Sequence, residues 1–365
     1  MKIKQAFEDF VVDEIFDVET KDEGKYAFVL LTKTNWTTQR AIMQIARRLR
    51  VSKVRVHYAG IKDKRAITSQ VISILGVKKE DVEGIVLKDM EFKFLGYSDE
   101  DIHIGNLLGN KFKVRADLTA TEKKNIKNNL SLIKKQGFVN YFGPQRFSSG
   151  SSSRIGRAIV KGDFEAGVKV ILSDHHGPEG EEFDKFVLNN WGNWKDIMKV
   201  VPRFLGNEKA VLDYLIRNPT DFAGALRNVA KPLRRIFVHA YQSEIWNRAV
   251  SKYIESKVKV KWFDLPGHKI AFPVGEVELE NELEIPGYES KLDGEFGKFL
   301  SVELKSEEIG LEIFRVQSMP ELSSRGATRE PFVKVKNLKF DGKEWFEFEL
   351  GKGVYATVLL DSLVV

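Results

Sequence analysis

The segment Gly60-Ile61-Lys62-Asp63-Lys64-Arg65-Ala66-Ile67-Thr68-Ser69-Gln70 lies between two stretches that have the pattern of β-strands. Before it, Val54, Val56 and Tyr58 alternate with polar residues, which is typical of a half-buried strand. After it, the mostly apolar segment Val71-Ile72-Ser73-Ile74-Leu75 predicts a second strand. The pattern therefore predicts a loop that is carried on a stiff sheet.

Asp63 is the acidic residue of this loop, and Lys62, Lys64 and Arg65 flank it. These neighbouring cations favour an ionised carboxylate, which can accept a proton or attack an electrophile at neutral pH. The basic surroundings would also attract a polyanion. The charge pattern alone leaves open a solvated turn between two strands.

Four short motifs, spread from residue 3 to residue 360, together resemble those of one known family. They are the opening segment with Lys4, Asp9, Phe10, Val12 and Glu14; the loop with Gly60, Lys62, Asp63, Ala66, Thr68 and Gln70; the block Asn140-Tyr141-Phe142-Gly143-Pro144-Gln145-Arg146-Phe147; and the closing segment Tyr355-Ala356-Thr357-Val358-Leu359-Leu360, which is expected to be a strand. In this order they are similar to the motifs of the TruD family of RNA pseudouridine synthases. The resemblance covers the whole chain.

The resemblance implies that Asp63 is the catalytic residue and that Phe142 stacks on the target uracil. The further candidates for substrate binding are Lys4, Lys62, Asn140 and Arg146. For four of these residues a structural alternative stays open: Phe142 as a core ring, Asn140 and Arg146 as structural residues, and Lys4 as an ordinary surface lysine.

Two positions depart from the family pattern. Ser148 stands where the family usually has glycine, and Asp361-Ser362 stands where it often has Arg-Glu. If that arginine normally pairs with the catalytic aspartate, another cation such as Lys4 or Lys62 must do so here, and the sequence leaves the choice open.

The composition agrees with an RNA partner. The 58 Lys and Arg residues exceed the 52 Asp and Glu residues, which gives a net charge of +6 and a pI near 9.1. Four arginines precede the loop, where they form either a solvated helix face or a phosphate track: Arg40, Arg47, Arg48 and Arg50. The absence of cysteine excludes disulfides, a thiol nucleophile and cysteine-based zinc sites.

The localisation expected from the sequence is cytoplasmic. The first residues are charged and carry no apolar core of signal-peptide length, and no uninterrupted apolar run approaches the length of a membrane span. We expect no membrane partner and a monomer.

The length of 365 residues favours two domains. The Gly/Ser-rich tract 148–154 predicts a boundary, either as a flexible linker or as an ordered surface loop. Residues 155–172 and 232–255 read as helices, and a hairpin that turns at Asp341-Gly342 returns strands to the first domain.

The resemblance implies an α+β fold. Its catalytic core would be a pseudouridine synthase domain of mixed and antiparallel sheet with helices, formed by residues 1–154 and 319–365. An inserted α/β domain would occupy residues 155–318, so that the catalytic domain is discontinuous in sequence.

The implied reaction breaks a C1′–N1 glycosidic bond in tRNA, turns the uracil and joins C5 to C1′, and it needs no cofactor. The implied target is a uridine of the D-arm, at position 13, with other tRNA positions or other RNAs left open. One carboxylate suffices where glycosidases use two. Whether it attacks the sugar or removes a proton is not decided by the sequence.

Rival functions fail on specific residues. A non-catalytic RNA-binding protein on the same scaffold is the main alternative, although the intact loop around Asp63 argues against it. A metal-dependent nuclease would need clustered carboxylates. The segment 351–356 fits a dinucleotide-binding spacing but lacks the following helix and acidic residue, and the two histidines of 174–177 lack a third spaced metal ligand.

Overall fold

The computed structural model describes residues 1–3 and 5–365, and the chain divides into two compact units. The first unit comprises Met1–Phe138 together with Phe332–Val365, and the second comprises Val139–Pro331. The boundaries predicted for the inserted domain, residues 155 and 318, both lie inside the second unit. The extent of that domain stays a prediction.

The strands of the described residues are β1 (Lys2–Ile3), β2 (Phe10–Ile15), β3 (Tyr26–Thr34), β4 (Val56–Tyr58), β5 (Ile67–Leu75), β6 (Met90–Ser98), β7 (Gly109–Asp117), β8 (Phe138–Val139), β9 (Val260–Leu265), β10 (His268–Pro273), β11 (Leu283–Ile285), β12 (Ala327–Arg329), β13 (Phe332–Val333), β14 (Lys336–Phe340) and β15 (Trp345–Gly351).

The α-helices in the same part of the chain are α1 (Thr38–Arg48), α2 (Lys79–Glu83), α3 (Ala120–Gln136), α4 (Ser151–Lys161), α5 (Phe164–Ser173), α6 (Pro178–Asn189), α7 (Trp194–Val200), α8 (Gly206–Arg217), α9 (Phe222–Arg227), α10 (Lys231–Glu255), α11 (Gly294–Ser306) and α12 (Ala356–Val364). Short 3-10 helices cover Lys53–Arg55, Pro144–Arg146, Ser148–Gly150, Leu311–Phe314 and Pro320–Leu322.

The first unit is built on one mixed sheet, and nine strands form it within the described residues. The strand order is β14-β15-β7-β2-β5-β3-β6, with β1 beside β7 and β4 beside β5. Strands β2 and β5 run parallel, and the other pairs are antiparallel. The hairpin β14–β15 thus joins the sheet of the N-terminal segment, as the sequence predicts, and the α+β class is confirmed.

Helix α1 covers one face of this sheet. It begins where the Thr37 side chain accepts a hydrogen bond from the Arg40 backbone N–H at 3.3 Å. Its apolar stripe packs on inward-facing residues of β3 and β5 because strand side chains alternate between the two faces. The core contains Ala27, Val29, Leu31, Ala41, Ile42, Ile45, Ile72 and Ile74.

The second unit is organised around α10, which packs against α4, α11 and β10. This helix is buried along most of its length, and Trp246 and Tyr253 are among its largest buried side chains. The helix predicted for residues 232–255 is therefore confirmed, and its aromatic stripe belongs to the core.

Three of the predicted helices and strands are wrong. Residues 53–55 form a 3-10 helix, so the strand before the loop begins only at Val56. The helix predicted over 155–172 is two helices, because Gly162 ends α4 in a left-handed conformation (φ 75°) and Asp163 caps α5. The closing segment is the helix α12 and not a strand.

The Gly/Ser tract 148–154 is neither a linker nor a surface loop. Ser151 already begins α4, and Ser152 and Ser153 are buried within it. The residues before it are conformationally unusual, since Ser148 and Ser149 have φ values of 42° and 57°, followed by Gly150 at 96°. Left-handed backbone is unfavourable for residues with a Cβ, which explains why glycine would suit the position of Ser148.

We predict that Ser148→Gly raises the free energy of unfolding by about 1 kcal/mol, because glycine relieves the left-handed strain at this exposed position. The control is Ser131→Gly on the exposed face of α3, which should lower it by about 0.5 kcal/mol through helix propensity. Denaturant unfolding measures both. Destabilisation by Ser148→Gly would contradict the assigned backbone.

Candidate active site

The side chains packed between the sheet and α1 are mostly apolar, but those nearest the Asp63 loop are polar. On β3 the inward-facing row ends at Lys33, and on β5 it ends at Thr68 and Gln70. The antiparallel register places Lys33 opposite Thr68 and Leu31 opposite Gln70. All three polar side chains are buried, so they form a polar layer beneath the loop.

Lys33 connects this layer to the loop backbone. Its Nζ donates hydrogen bonds to the carbonyl oxygen of Trp36 at 2.7 Å and to that of Asp63 at 3.1 Å. Burial lowers the pKa of Lys33 to about 8; the Asp63 charge opposes this shift and the Lys62 charge adds to it. A buried ammonium therefore lies directly below the candidate catalytic residue.

Lys62 forms a buried ion pair with Glu14 of β2. The second carboxylate oxygen of Glu14 accepts the backbone N–H of Val71 at 3.3 Å, so one side chain holds both the loop and the adjoining strand β5. A buried pair of this kind is strongly destabilised when one partner is removed. Lys62 thus anchors the residue that precedes Asp63.

Thr38, the first residue of α1, completes the support of the loop. Its hydroxyl donates to Gln70 Oε1 and accepts the Lys62 backbone N–H, both at 3.0 Å. Gln70 Nε2 in turn donates to the carbonyl of Gly60 at 3.1 Å. The loop backbone is therefore fixed from β3, β5, β2 and α1 together.

The loop exposes only part of its side chains to solvent. Asp63, Lys64 and Arg65 are exposed, whereas Lys62 and Ala66 are buried. The arrangement presents one carboxylate and two cations on a backbone that cannot shift easily. Such a carboxylate can stabilise or capture an electron-poor sugar carbon, or accept a proton.

In the second unit, Arg329 of β12 holds the Asn140 segment. Its Nη2 donates to Asn140 Oδ1 at 2.6 Å, and its Nε donates to the Asn140 carbonyl at 2.7 Å. The Arg329 guanidinium also lies over the Phe142 ring, 4.3 Å from its centroid, and Arg146 lies 5.4 Å from it. Phe142 is only 6% exposed.

The backbone of Phe142 is fixed from α10. Asn247 Oδ1 accepts the Phe142 N–H at 3.0 Å, and Asn247 Nδ2 donates to the Phe142 carbonyl at 2.9 Å. Asn247 Nδ2 also lies 3.1 Å from His268 Nε2. Burial lowers the pKa of His268 to about 4, so the ring is neutral and Nε2 is the acceptor.

Comparison with known proteins identifies the family. Residues 1–363 match the family model described as tRNA pseudouridine synthase D (TruD). The chain belongs to the TruD family. A relative from Methanosarcina acetivorans, named probable tRNA pseudouridine synthase D, is 34% identical over 98% of this chain and 91% of its own length. One of the same name from Thermoplasma volcanium is 33% identical over 100% and 94%.

A solved structure agrees with this assignment. The crystal structure described as that of the "putative tRNA pseudouridine synthase D (TruD)" from Methanosarcina mazei is 32% identical and superposes with a TM-score of 0.74, covering 99% of this chain and 93% of that one. Members of the TruD family isomerise uridine to pseudouridine in tRNA. The chain is accordingly an isomerase that acts on tRNA.

The residues that the TruD resemblance singled out occupy different settings. Asp63 is exposed on the loop, and Lys62 is buried against Glu14, which favours a structural role. Phe142, Asn140 and Arg146 lie in the second unit, where packing favours the structural alternative for Phe142 and Asn140. Lys4 lies outside the described residues. The substrate-binding roles of these residues stay predictions.

Asp361 stands at a position where the TruD pattern often has an arginine, so this position provides no cation here. It is a half-buried residue of α12, and burial raises its pKa to about 7, while the amino terminus of Met1 opposes this shift. The structure instead brings the ammonium of Lys33 to the loop that carries Asp63.

Sequence reasoning missed three residues that shape these segments: Lys33, Glu14 as the partner of Lys62, and Arg329. A signal for Lys33 was present, because it continues the inward-facing row of Leu31 on β3, where a charged residue is unusual. Glu14 was noted only as part of a motif. Nothing near Arg329 in the sequence points to Asn140, since 189 positions separate them.

Within residues 1–3 and 5–365, no group of three or more His, Asp or Glu side chains could hold a metal ion. No helix in this part of the chain is both long enough and apolar enough to cross a membrane.

We predict that Lys33 makes stability pH-dependent in a defined direction. Its folded pKa lies below the unfolded value of about 10.4, so the unfolded chain binds more protons between about pH 8 and pH 10, and the parent gains stability as pH rises through this range. Lys33→Met should lack this gain, whereas the exposed control Lys93→Met should retain it.

Denaturant unfolding at about pH 7.5 and pH 9.5 measures the difference. The stability of the parent relative to Lys33→Met should increase at the higher pH. An equal response of parent and variant would show that Lys33 keeps an ordinary pKa.

Proposed function

We propose that Asp63 is the catalytic aspartate of this TruD-family chain and that its target is the uridine at position 13 of the tRNA D-arm. The observation that carries the catalytic role is the exposed Asp63 carboxylate on a loop whose backbone Lys33, Thr38 and Gln70 fix through hydrogen bonds. Catalytic groups held by a rigid support act without reorganisation at the moment of reaction.

In the proposed reaction the atoms and electrons balance without a cofactor. The C1′–N1 bond breaks, a C1′–C5 bond forms, the C5 proton leaves and N1 gains a proton. The Asp63 carboxylate either bonds to the electron-poor sugar carbon or removes a proton from the sugar, and both routes return it unchanged. Water must be excluded, because it would hydrolyse the activated sugar.

Exposed arginines of α1 support binding of a polyanion close to the loop in sequence. Arg40, Arg47 and Arg48 are exposed, and no ion pair to them is seen within residues 1–3 and 5–365. Cations of this kind serve as phosphate contacts, and each contact makes RNA binding weaker at higher salt. The alternative of a purely solvated face predicts no such effect from these residues.

We predict that Asp63→Asn abolishes pseudouridine formation while folding survives, because the side chain is exposed and nearly unchanged in size. The assay is tritium release from C5-labelled uridine in tRNA under single-turnover conditions. The matched control is Asp22→Asn, an exposed aspartate of the same unit, which should react like the parent. Turnover by Asp63→Asn within about tenfold of the parent would refute the catalytic role.

The same reaction identifies the target. Mapping pseudouridine in the product should place it at position 13 of the D-arm. A product elsewhere in the tRNA would contradict the proposed target but leave the role of Asp63 standing.

For Phe142 we predict that replacement by alanine lowers the free energy of unfolding by about 3–5 kcal/mol, because the ring is buried against Trp246 and Arg329. Loss of activity in that variant is therefore uninformative. Phe142→Leu keeps most of the volume and removes the aromatic face. If the ring stacks on uracil, Phe142→Leu should fold normally yet form pseudouridine at least about tenfold more slowly than the parent. An unchanged rate in Phe142→Leu would contradict the stacking role.

A further inference from the structure

A pocket of about 390 Å³ lies beside the Asp63 loop, within the first unit. It is lined by the turn 5–8, by Asn35 and by Lys64 and Arg65. The two residues that follow Asp63 therefore form part of its wall, whereas Asp63 itself does not. The pocket is thus a neighbour of the proposed catalytic carboxylate and has the volume of a small-molecule site.

The cations of this wall are available to a ligand. Lys64 and Arg65 are exposed, and their side chains make no hydrogen bond or ion pair with the part of the chain that the structure describes. The backbone between them and β5 is ordered by the Ala66 N–H, which donates to the Lys64 carbonyl at 3.0 Å. Glu8 is the acidic residue of the lining, so the two cations exceed it in charge. A phosphate fits this balance.

The turn 5–8 contributes an aromatic residue to the lining of the pocket. Phe7 is half-buried, and its carbonyl accepts the Phe10 N–H at 3.2 Å. The buried Asp9 side chain accepts the Ala6 N–H at 2.8 Å, which closes the same turn. These bonds order the backbone that carries Phe7. An aromatic side chain at such a position can stack on a nucleobase, and such stacking tolerates any base identity.

Asn35 adds a group that can read a base edge. It has a left-handed backbone (φ 62°), and its N–H donates to the Ala66 carbonyl at 3.3 Å, so its position is tied to the Asp63 loop. Its exposed amide offers both a donor and an acceptor. Asparagine amides of this kind recognise base edges in single-stranded RNA and in DNA.

We propose that this pocket holds a nucleotide that directly neighbours the target uridine, with its phosphate on Lys64 and Arg65 and its base on Phe7 and Asn35. The Cα of Arg65 lies at most about 7 Å from that of Asp63 along the chain, so a nucleotide in the pocket can be covalently adjacent to a uridine at Asp63. The inference rests on the proposed role of Asp63. It makes the pocket a determinant of sequence preference.

The test is a cycle between enzyme variants and RNA variants. Single-turnover rates at subsaturating enzyme are measured on tRNA that is intact or that carries an abasic nucleotide immediately 5′ or 3′ of the mapped target. The enzymes are the parent, Phe7→Leu and Asn35→Ala. The control for Asn35→Ala is Asn337→Ala, another exposed asparagine with positive φ (55°), which should behave as the parent.

In the parent, removal of one of the two neighbouring bases should slow the reaction about tenfold or more. Phe7→Leu and Asn35→Ala should be slower than the parent on intact tRNA, yet lose little further when that same base is removed. Equal penalties in parent and variants, or no penalty in the parent, would overturn the proposal.

Equilibrium RNA affinity, measured on the same set of enzymes and RNAs, separates this inference from the catalytic assignment. The loss of affinity caused by removing the neighbouring base should be smaller in Phe7→Leu and Asn35→Ala than in the parent, even if another carboxylate performs the chemistry. Additive effects on affinity would overturn the pocket assignment whatever the outcome for Asp63→Asn.

The phosphate part of the proposal has its own readout. Arg65→Gln and Lys64→Gln should each weaken RNA binding and lower the slope of log affinity against log salt by about one. An unchanged slope in both variants would show that neither side chain contacts a phosphate, and the proposal would fail.

Discussion

The buried ammonium of Lys33 is the constraint on which the candidate site depends. An unpaired charge inside a hydrophobic core is costly, so this side chain must keep its hydrogen bonds to the carbonyls of Trp36 and Asp63. Movement of the loop away from Lys33 would break the hydrogen bond to the Asp63 carbonyl. The apolar packing between β3, β5 and α1 thereby helps to determine where the Asp63 backbone lies, because it positions Lys33.

The residues that hold the loop in place are different from the residue proposed to react. Lys62 and Glu14 form a buried pair that joins two motifs lying 48 positions apart in the sequence, whereas Asp63 is exposed. A pseudouridine synthase must hold an activated sugar and a detached base until they recombine, and a rigid loop keeps the reacting groups close during that time. The TruD motif around Asp63 is thus largely a set of structural residues that serve one exposed carboxylate.

The sequence predicts the sheet and the loop that carries Asp63 because these depend on local alternation and on a contiguous motif, while the catalytic role of Asp63 stays a prediction. Sequence reasoning failed where the decisive contact is distant or the backbone is unusual. The tract 148–154 was expected to be a linker or a surface loop. Instead, Ser148 and Ser149 have left-handed backbone and lead directly into α4, which begins at Ser151. The apolar run of α12 fits a strand as well as a buried helix, since period alone cannot separate them. The partner of Lys62 could not be predicted, because pairing with Glu14 depends on the parallel alignment of β2 and β5. Cytoplasmic localisation and the monomeric state stay predictions.

Hydrogen exchange of the loop amides tests the central claim most directly. The Lys62 N–H is held by Thr38 Oγ1 in an otherwise exposed loop, so it should exchange far more slowly than in an unstructured peptide. In Lys33→Met this protection should be lost over residues 60–66 while the amides of β3 and β5 stay protected. Exchange of the parent loop at the rate of an unstructured peptide, or full protection in the variant, would contradict the account.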